Sequence, residues 1–140
     1  MSASLLYHTN QIEDVQVLKE EYYGNKILFE AVLIAKKAFC PCCGSNDSIA
    51  KGQKVRRLRM APLGNKIAIL LLKLHRLQCT NCLYIWWPLI PFAKPKKRYT
   101  LSFEKYVVRL MGFATIEHAA KFLGVSWSLI KNIHKAYLQR

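Results

Sequence analysis

Residues 38–47 read AFCPCCGSND and residues 79–82 read CTNC, and together they hold all five cysteines of the 140-residue chain. Cys40 and Cys43 form one C-x2-C pair, and Cys79 and Cys82 form a second. Two such pairs, far apart in sequence, can supply four thiolates to one tetrahedral zinc ion. Two intervening residues let the backbone wrap one corner of the ion with its amide N–H groups turned toward the sulfurs. Gly44, directly after the first pair, suits the positive φ such a knuckle tends to need. Leu83 stands at the equivalent place in the second pair and is a weaker fit. Cys42 adjoins Cys43, and neighbouring residues rarely point at one ion together, so it reads as a free thiol. His75 reads as a basic strand residue rather than a substitute ligand. Four thiolates leave no open position for water or substrate. The expected cofactor is therefore one structural zinc, whose binding free energy becomes folding free energy. An odd cysteine count argues against a secreted disulfide framework.

The 35 residues between the pairs read as an inserted hairpin. Residues 55–60 and 66–78 are strand-like, and PLGN between them is a turn signal. Before the first knuckle, VQVLKEEYYGNKILFEAVLIA (15–35) reads as two strands around Gly24 and Asn25. The expected first domain is a β-rich zinc ribbon with a basic hairpin, residues 1–92, closed at its base by the metal.

Charge is unevenly spread. Residues 1–50 carry four basic and six acidic side chains, whereas residues 51–140 carry eighteen basic and two acidic ones, Glu104 and Glu117. Positive charge confined to one part of a chain suits a polyanion, with nucleic acid ahead of an anionic membrane surface. No signal peptide is expected, since the N-terminus lacks a basic flank before an apolar stretch. No membrane span is expected either: the uncharged run 79–93 is too short and holds Pro88 and Pro91. A soluble cytoplasmic protein follows as the expectation.

Past Trp86 and Trp87 the chain turns proline-rich and then basic, and residues 93–100 read as a basic linker with Lys94, Lys96, Lys97 and Arg98. From Leu101 the apolar period becomes helical, with Phe103, Val107, Leu110 and Met111 on one face and Gly112 ending the helix. The following stretch, TIEHAAKFLGVSWSLIKNIHKAYLQ, fits a helix-turn-helix. Ala119 and Ala120 are small where helices cross, Gly124 supplies a left-handed turn, Val125 tucks into the core and Ser126 caps the next helix. Leu129, Ile130, Ile133 and Tyr137 are expected on its buried face. Its outward positions, with the cap, are Ser126, Trp127, Ser128, Lys131, Asn132 and Lys135, a set able to meet a DNA groove. Trp127 has two readings, stacking on sugar or a thymine methyl, or covering the three-helix core, the second preferred. His118 and His134 read as helix-surface residues.

These stretches resemble the N-terminal region of bacterial insertion-sequence transposases of the ISL-three family. The resemblance rests on CPCCG, RRLRMAPLGNKIAILLLKLHRLQCTNC, the aromatic residues after the second pair, KRYTLSFEKYV and AAKFLGVSWSLIKNI, and covers residues 38–140. It implies a zinc finger and a helix-turn-helix that bind the element's terminal inverted repeats. In the family these precede an RNase H-like domain with three metal-binding acidic residues, which have no counterpart in these residues. RMAP departs from the family, which often has an acidic residue before leucine and proline. Composition agrees, because two-metal phosphoryl transfer needs several converging carboxylates. The chain is thus not expected to cut DNA by itself.

The resulting expectation is an α+β protein, with residues 1–92 as ribbon, 93–100 as linker and 101–140 as helix-turn-helix domain. It would bind double-stranded DNA, associated with a bacterial nucleoid, as a transposase-derived protein. Arg56, Arg57, Arg59, Lys73 and Arg76 of the hairpin and the four linker cations would hold phosphates, while the last helix reads bases. A homodimer and a full-length transposase are the protein partners considered. The alternatives are a stand-alone transcriptional regulator or transposition inhibitor, and a zinc-ribbon protein-interaction module.

Overall fold

The computed structural model describes residues 2–34 and 39–139. Ala35, expected to end a strand, and Ala38 and Arg140, which bound the stretch bearing the resemblance, lie outside them. The architecture is α+β: a mixed sheet, then three helices. Helix α1 (Ser2–Asn10) precedes strands β1 (Val15–Tyr23), β2 (Lys26–Leu33), β3 (Ser48–Arg59), β4 (Ile67–Cys79) and β5 (Ile85–Trp86). Helices α2 (Leu101–Leu110), α3 (Ile116–Leu123) and α4 (Trp127–Leu138) follow.

The sheet is built around β4, whose run IAILLLKL suits a central strand with neighbours on both edges. The order is β1-β2-β4-β3, with β5 pairing the far end of β4. The β1–β2 hairpin turns at Gly24, where φ is 48°. Strand β2 then runs parallel to β4, from Lys26 opposite Ile67 to Val32 opposite Lys73. Nothing in the local pattern announces that pairing, because parallel neighbours are joined by a long crossover. Here the crossover contains the first knuckle and β3. Strand β3 starts at Ser48, seven residues before the expected 55. A register shift between Ala50 and Gln53, with Gly52 at φ 123°, breaks the alternation that would have shown it.

Alternation along the strands sorts the two faces. Ile27, Phe29, Ala31, Leu58, Ala68, Leu70, Leu72 and Leu74 share one face and form the main core with Leu6, Ile12, Met60, Ile90, Phe92 and Ala93. A second core lies among the helices: Tyr99, Phe103, Val107, Ala119, Ala120, Leu123, Ile130 and Ile133. Each of the three helices α2, α3 and α4 begins at a hydroxyl cap. Thr100, Thr115 and Ser126 accept hydrogen bonds from the backbone N–H groups of Phe103, His118 and Leu129. Gly124 closes α3 at φ 66°, as the turn between the last two helices requires. Tyr137 departs from expectation. It is half exposed, because the α4 stripe that reaches the core ends at Ile133.

Residues 93–100 are docked between the two cores. Ala93 belongs to the sheet core and Tyr99 to the helical one. The Arg59 N–H donates to the Arg98 carbonyl (2.8 Å) and the Thr100 N–H donates to the Arg59 carbonyl (2.9 Å), so the segment extends the edge of β3. Asn10, fully buried at the end of α1, locks this corner. Its Oδ1 accepts from the Ala61 N–H (2.9 Å) and from the Ser102 hydroxyl (2.6 Å), and Ser102 in turn meets the Thr100 hydroxyl (2.8 Å).

Candidate nucleic-acid interface

The two cysteine pairs meet at the end of the β3–β4 ribbon. The sulfurs of Cys40, Cys43, Cys79 and Cys82 all lie within 4.8 Å of one another. Cys40 to Cys82 and Cys43 to Cys79 are each 3.5 Å apart. A tetrahedron with metal–sulfur bonds of about 2.3 Å has sulfurs about 3.8 Å apart, so the set fits one structural metal. The knuckles are near copies. Cys40 donates to the Ser45 carbonyl and Gly44 to the Cys40 carbonyl; Cys79 donates to the Tyr84 carbonyl and Leu83 to the Cys79 carbonyl. Leu83 takes φ 66° where Gly44 takes 77°, so the leucine adopts the conformation a knuckle requires despite its side chain. Backbone N–H groups reach the sulfurs, from Cys42 to Cys40 and from Asn81 and Cys82 to Cys79.

The thiols are electrostatically set against one another. N–H groups of Ser45 and the Asn81 side chain, ahead of the neighbouring thiols, lower the Cys43 pKa. Cys82 is pushed up to about 12: the Tyr84 N–H favours its thiolate, but desolvation and the other three sulfurs oppose it. Held by these four residues, a divalent cation would resolve that conflict by favouring all four thiolates. Cys42 is exposed and stands outside the set.

At the other end of the ribbon the cations gather. Arg56, Arg57, Arg59, Lys96, Lys97 and Arg98, with Ile69, line a cleft of about 650 Å³. The hairpin and linker charges, read separately from the sequence, thus face one space. Arg56 donates to the Lys97 carbonyl and holds the cleft wall to the 93–100 segment. Arg59 has a further task. Its guanidinium donates to the Leu123 carbonyl, at the turn from which α4 departs, and lies 5.5 Å from the Phe103 ring centre. Burial, then the Arg57 charge, lowers its pKa.

Other expected cations are placed elsewhere. Lys94 pairs with Glu104 at 2.9 Å. Arg76 donates to the Lys51 carbonyl from both Nε and a terminal nitrogen and lies over Trp87 with Lys54. Lys73 lies farther along β4, across from Val55, on the sheet face that Arg57 shares but outside the cleft lining. On α4, Trp127, Ser128, Lys131, Asn132 and Lys135 are exposed, and the exposed Ser126 hydroxyl caps the helix. Trp127 does not cover the core. It is half exposed with Lys131 Nζ 5.1 Å from its ring centre. The sequence reading missed Asn10, which no local motif marks. It also left Tyr84 and Trp86 without roles, although their i, i+2 spacing places them on one strand face.

A four-cysteine ribbon fit for one metal, its cationic end fixed to a helix-turn-helix, has the architecture of the DNA-binding class. Residues 36–82 match the family described as zinc-finger of transposase IS204/IS1001/IS1096/IS1165, and residues 89–138 match the helix-turn-helix domain of transposase family ISL3. The chain therefore carries the zinc-ribbon and helix-turn-helix domains of ISL3-family transposases. No curated protein and no solved structure matches it. Among the described residues, no helix is long and apolar enough to cross a membrane.

Proposed function

We propose that these domains bind the terminal inverted repeats of an insertion sequence as double-stranded DNA, with one zinc ion in the four-cysteine site. The observation that carries the reading is the convergence of six cations on one cleft whose wall is tied, through Arg59, to the turn that launches α4. Phosphate contacts in the cleft give affinity and register. Base edges in the major groove are met by Ser128, Lys131, Asn132 and Lys135, and Trp127 stacks on sugar or a thymine methyl near the start of α4. Lys94 and Arg76 act at one remove, by holding Glu104 and the Lys51 turn beside the phosphate-facing segments. The role of these residues is binding, not strand cleavage. In the cell they work in the cytoplasm at the nucleoid, as a dimer that pairs two ends or beside a full-length transposase.

The test is a salt titration on an end-bearing duplex and a scrambled duplex. About five phosphate contacts give a log–log slope near −4.5 on both. Lys131→Ala or Asn132→Ala weakens the end-bearing duplex by roughly 1–3 kcal/mol more than the scrambled one. Equal losses on both duplexes would remove α4 as the reading helix, and a slope near zero would remove the cleft as the phosphate site.

A further inference from the structure

Only one face of the sheet is covered by the main core. Cross-strand register places Arg57, Val55 and Gln53 of β3 on the other face, opposite Leu71, Lys73 and His75 of β4. The same face continues to Leu77, whose partner is Trp86 of β5. Tyr84 stacks on Trp86, with ring centres 6.1 Å apart and planes 18° apart. Tyr84 is about half exposed and Trp86 partly so. Trp87, one residue on, points the other way and is covered by Lys54 and Arg76. The neighbouring tryptophans thus differ in kind: Trp87 is occupied by the protein's own cations, while the Tyr84–Trp86 pair presents an aromatic step to solvent.

This step and the cationic cleft stand at two ends of one strip. Arg57 borders the cleft and sits at the level of Leu71, and Trp86 sits at the level of Leu77. Six residues of strand separate them, about 20 Å. Lys73 and His75 lie between. The carboxylates of this face, Glu30 opposite Leu71 and Glu21 opposite Leu28, lie on the β1–β2 side, where Lys19 pairs with Glu21 at 2.6 Å. The unopposed path therefore follows β3, β4 and β5.

A cationic track that ends on exposed, parallel aromatic rings is the surface that unpaired nucleic acid recognises. Phosphates follow the charge, and a base with no stacking partner in a duplex takes one from the protein. We infer that this face binds a single-stranded extension of the DNA held in the cleft, with Tyr84 and Trp86 stacking on one or two of its bases. The inference rests on the cleft being the phosphate site. A docked protein would use the same rings without preferring an unpaired strand.

The experiment uses the full metal-loaded chain, a blunt end-bearing duplex, and the same duplex with a six-nucleotide single-stranded extension carrying 2-aminopurine. The extension should raise affinity about tenfold and quench the 2-aminopurine on binding. The double substitution Tyr84→Ala, Trp86→Ala should abolish both effects while blunt-duplex affinity and metal content stay unchanged. Tyr84→Ala alone, at a half-exposed position, should lose at least about threefold of the gain, and Trp86→Phe should keep most of it. An extension that adds nothing to the native chain, or a gain that survives in the double variant, overturns the inference. Failure to bind the blunt duplex at all overturns the cleft reading instead.

Discussion

Replacing Arg59 by alanine separates two roles that a cation in this position can have. As a phosphate ligand, Arg59 would resemble Arg57: its loss would lower the salt slope by about 0.9 and leave folding stability within about 0.5 kcal/mol. The structure gives it a strut's connections. A charge-assisted hydrogen bond to the Leu123 carbonyl contributes about 1.5–3 kcal/mol, and the contact with Phe103 about 0.5–1. Against these stands the buried, partnerless Nε, whose removal returns about 1 kcal/mol. The expected net loss is about 1–3 kcal/mol of stability, measured as a shift of the urea midpoint at constant m. In DNA binding, Arg59→Ala should reduce the preference for the end-bearing duplex over the scrambled one, because the reading helix loses its fixed relation to the cleft. Arg59→Lys, which keeps charge but not the planar fork, should resemble alanine more than wild type. An unchanged urea midpoint together with a uniform, Arg57-like loss on both duplexes would refute the strut.

The remaining expectations concern the ribbon and its corner. Leu83→Gly removes a left-handed leucine that is largely exposed and should stabilise the metal-loaded chain by about 1 kcal/mol, read from a chelator titration. Metal analysis should find one zinc per chain. Cys79→Ser or chelation should unfold the ribbon by circular dichroism, whereas Cys42→Ser should change neither metal content nor fold. Asn10→Ala strips the partly buried Ala61 N–H of its acceptor, leaves the Ser102 hydroxyl only its contact with Thr100, and should cost about 1–3 kcal/mol, with the loss shared non-additively in a double substitution with Ser102→Ala.

The parts of the fold that local chemistry determines were readable. The cysteine spacing announced the knuckles. The order of alanines, Gly124 and Ser126 announced the helix-turn-helix, because small residues, a left-handed turn and a cap each have one local cause. What could not be read depends on contacts between distant segments. The parallel β2–β4 pairing joins residues some forty positions apart and leaves no mark in either strand. Helix α1 has weak amphipathic character and matters through Asn10, whose partners lie at positions 61 and 102. Composition made residues 93–100 a linker, yet their carbonyls and N–H groups complete the edge of β3. Charge alone could not separate Arg57, which faces the cleft, from Arg59, which also grips a helix terminus. Leu83 shows that the demands of a knuckle override side-chain preference where four gathered sulfurs and the turn's own backbone hydrogen bonds require it.

Thr100 illustrates what such a corner imposes on a target. Its N–H is held by β3, its hydroxyl caps α2, and no slack residue lies between the sheet edge and that helix. On the proposed function, the bases offered to α4 and the phosphates offered to the cleft would therefore have to arrive in one rotational phase of the duplex. A site in which the two are moved apart by about five base pairs, half a helical turn, presents them on opposite sides of the DNA. An insertion of two or three residues after Pro95 would act like a change of gear, shifting the spacing of sequences the protein accepts while leaving each module's own chemistry intact.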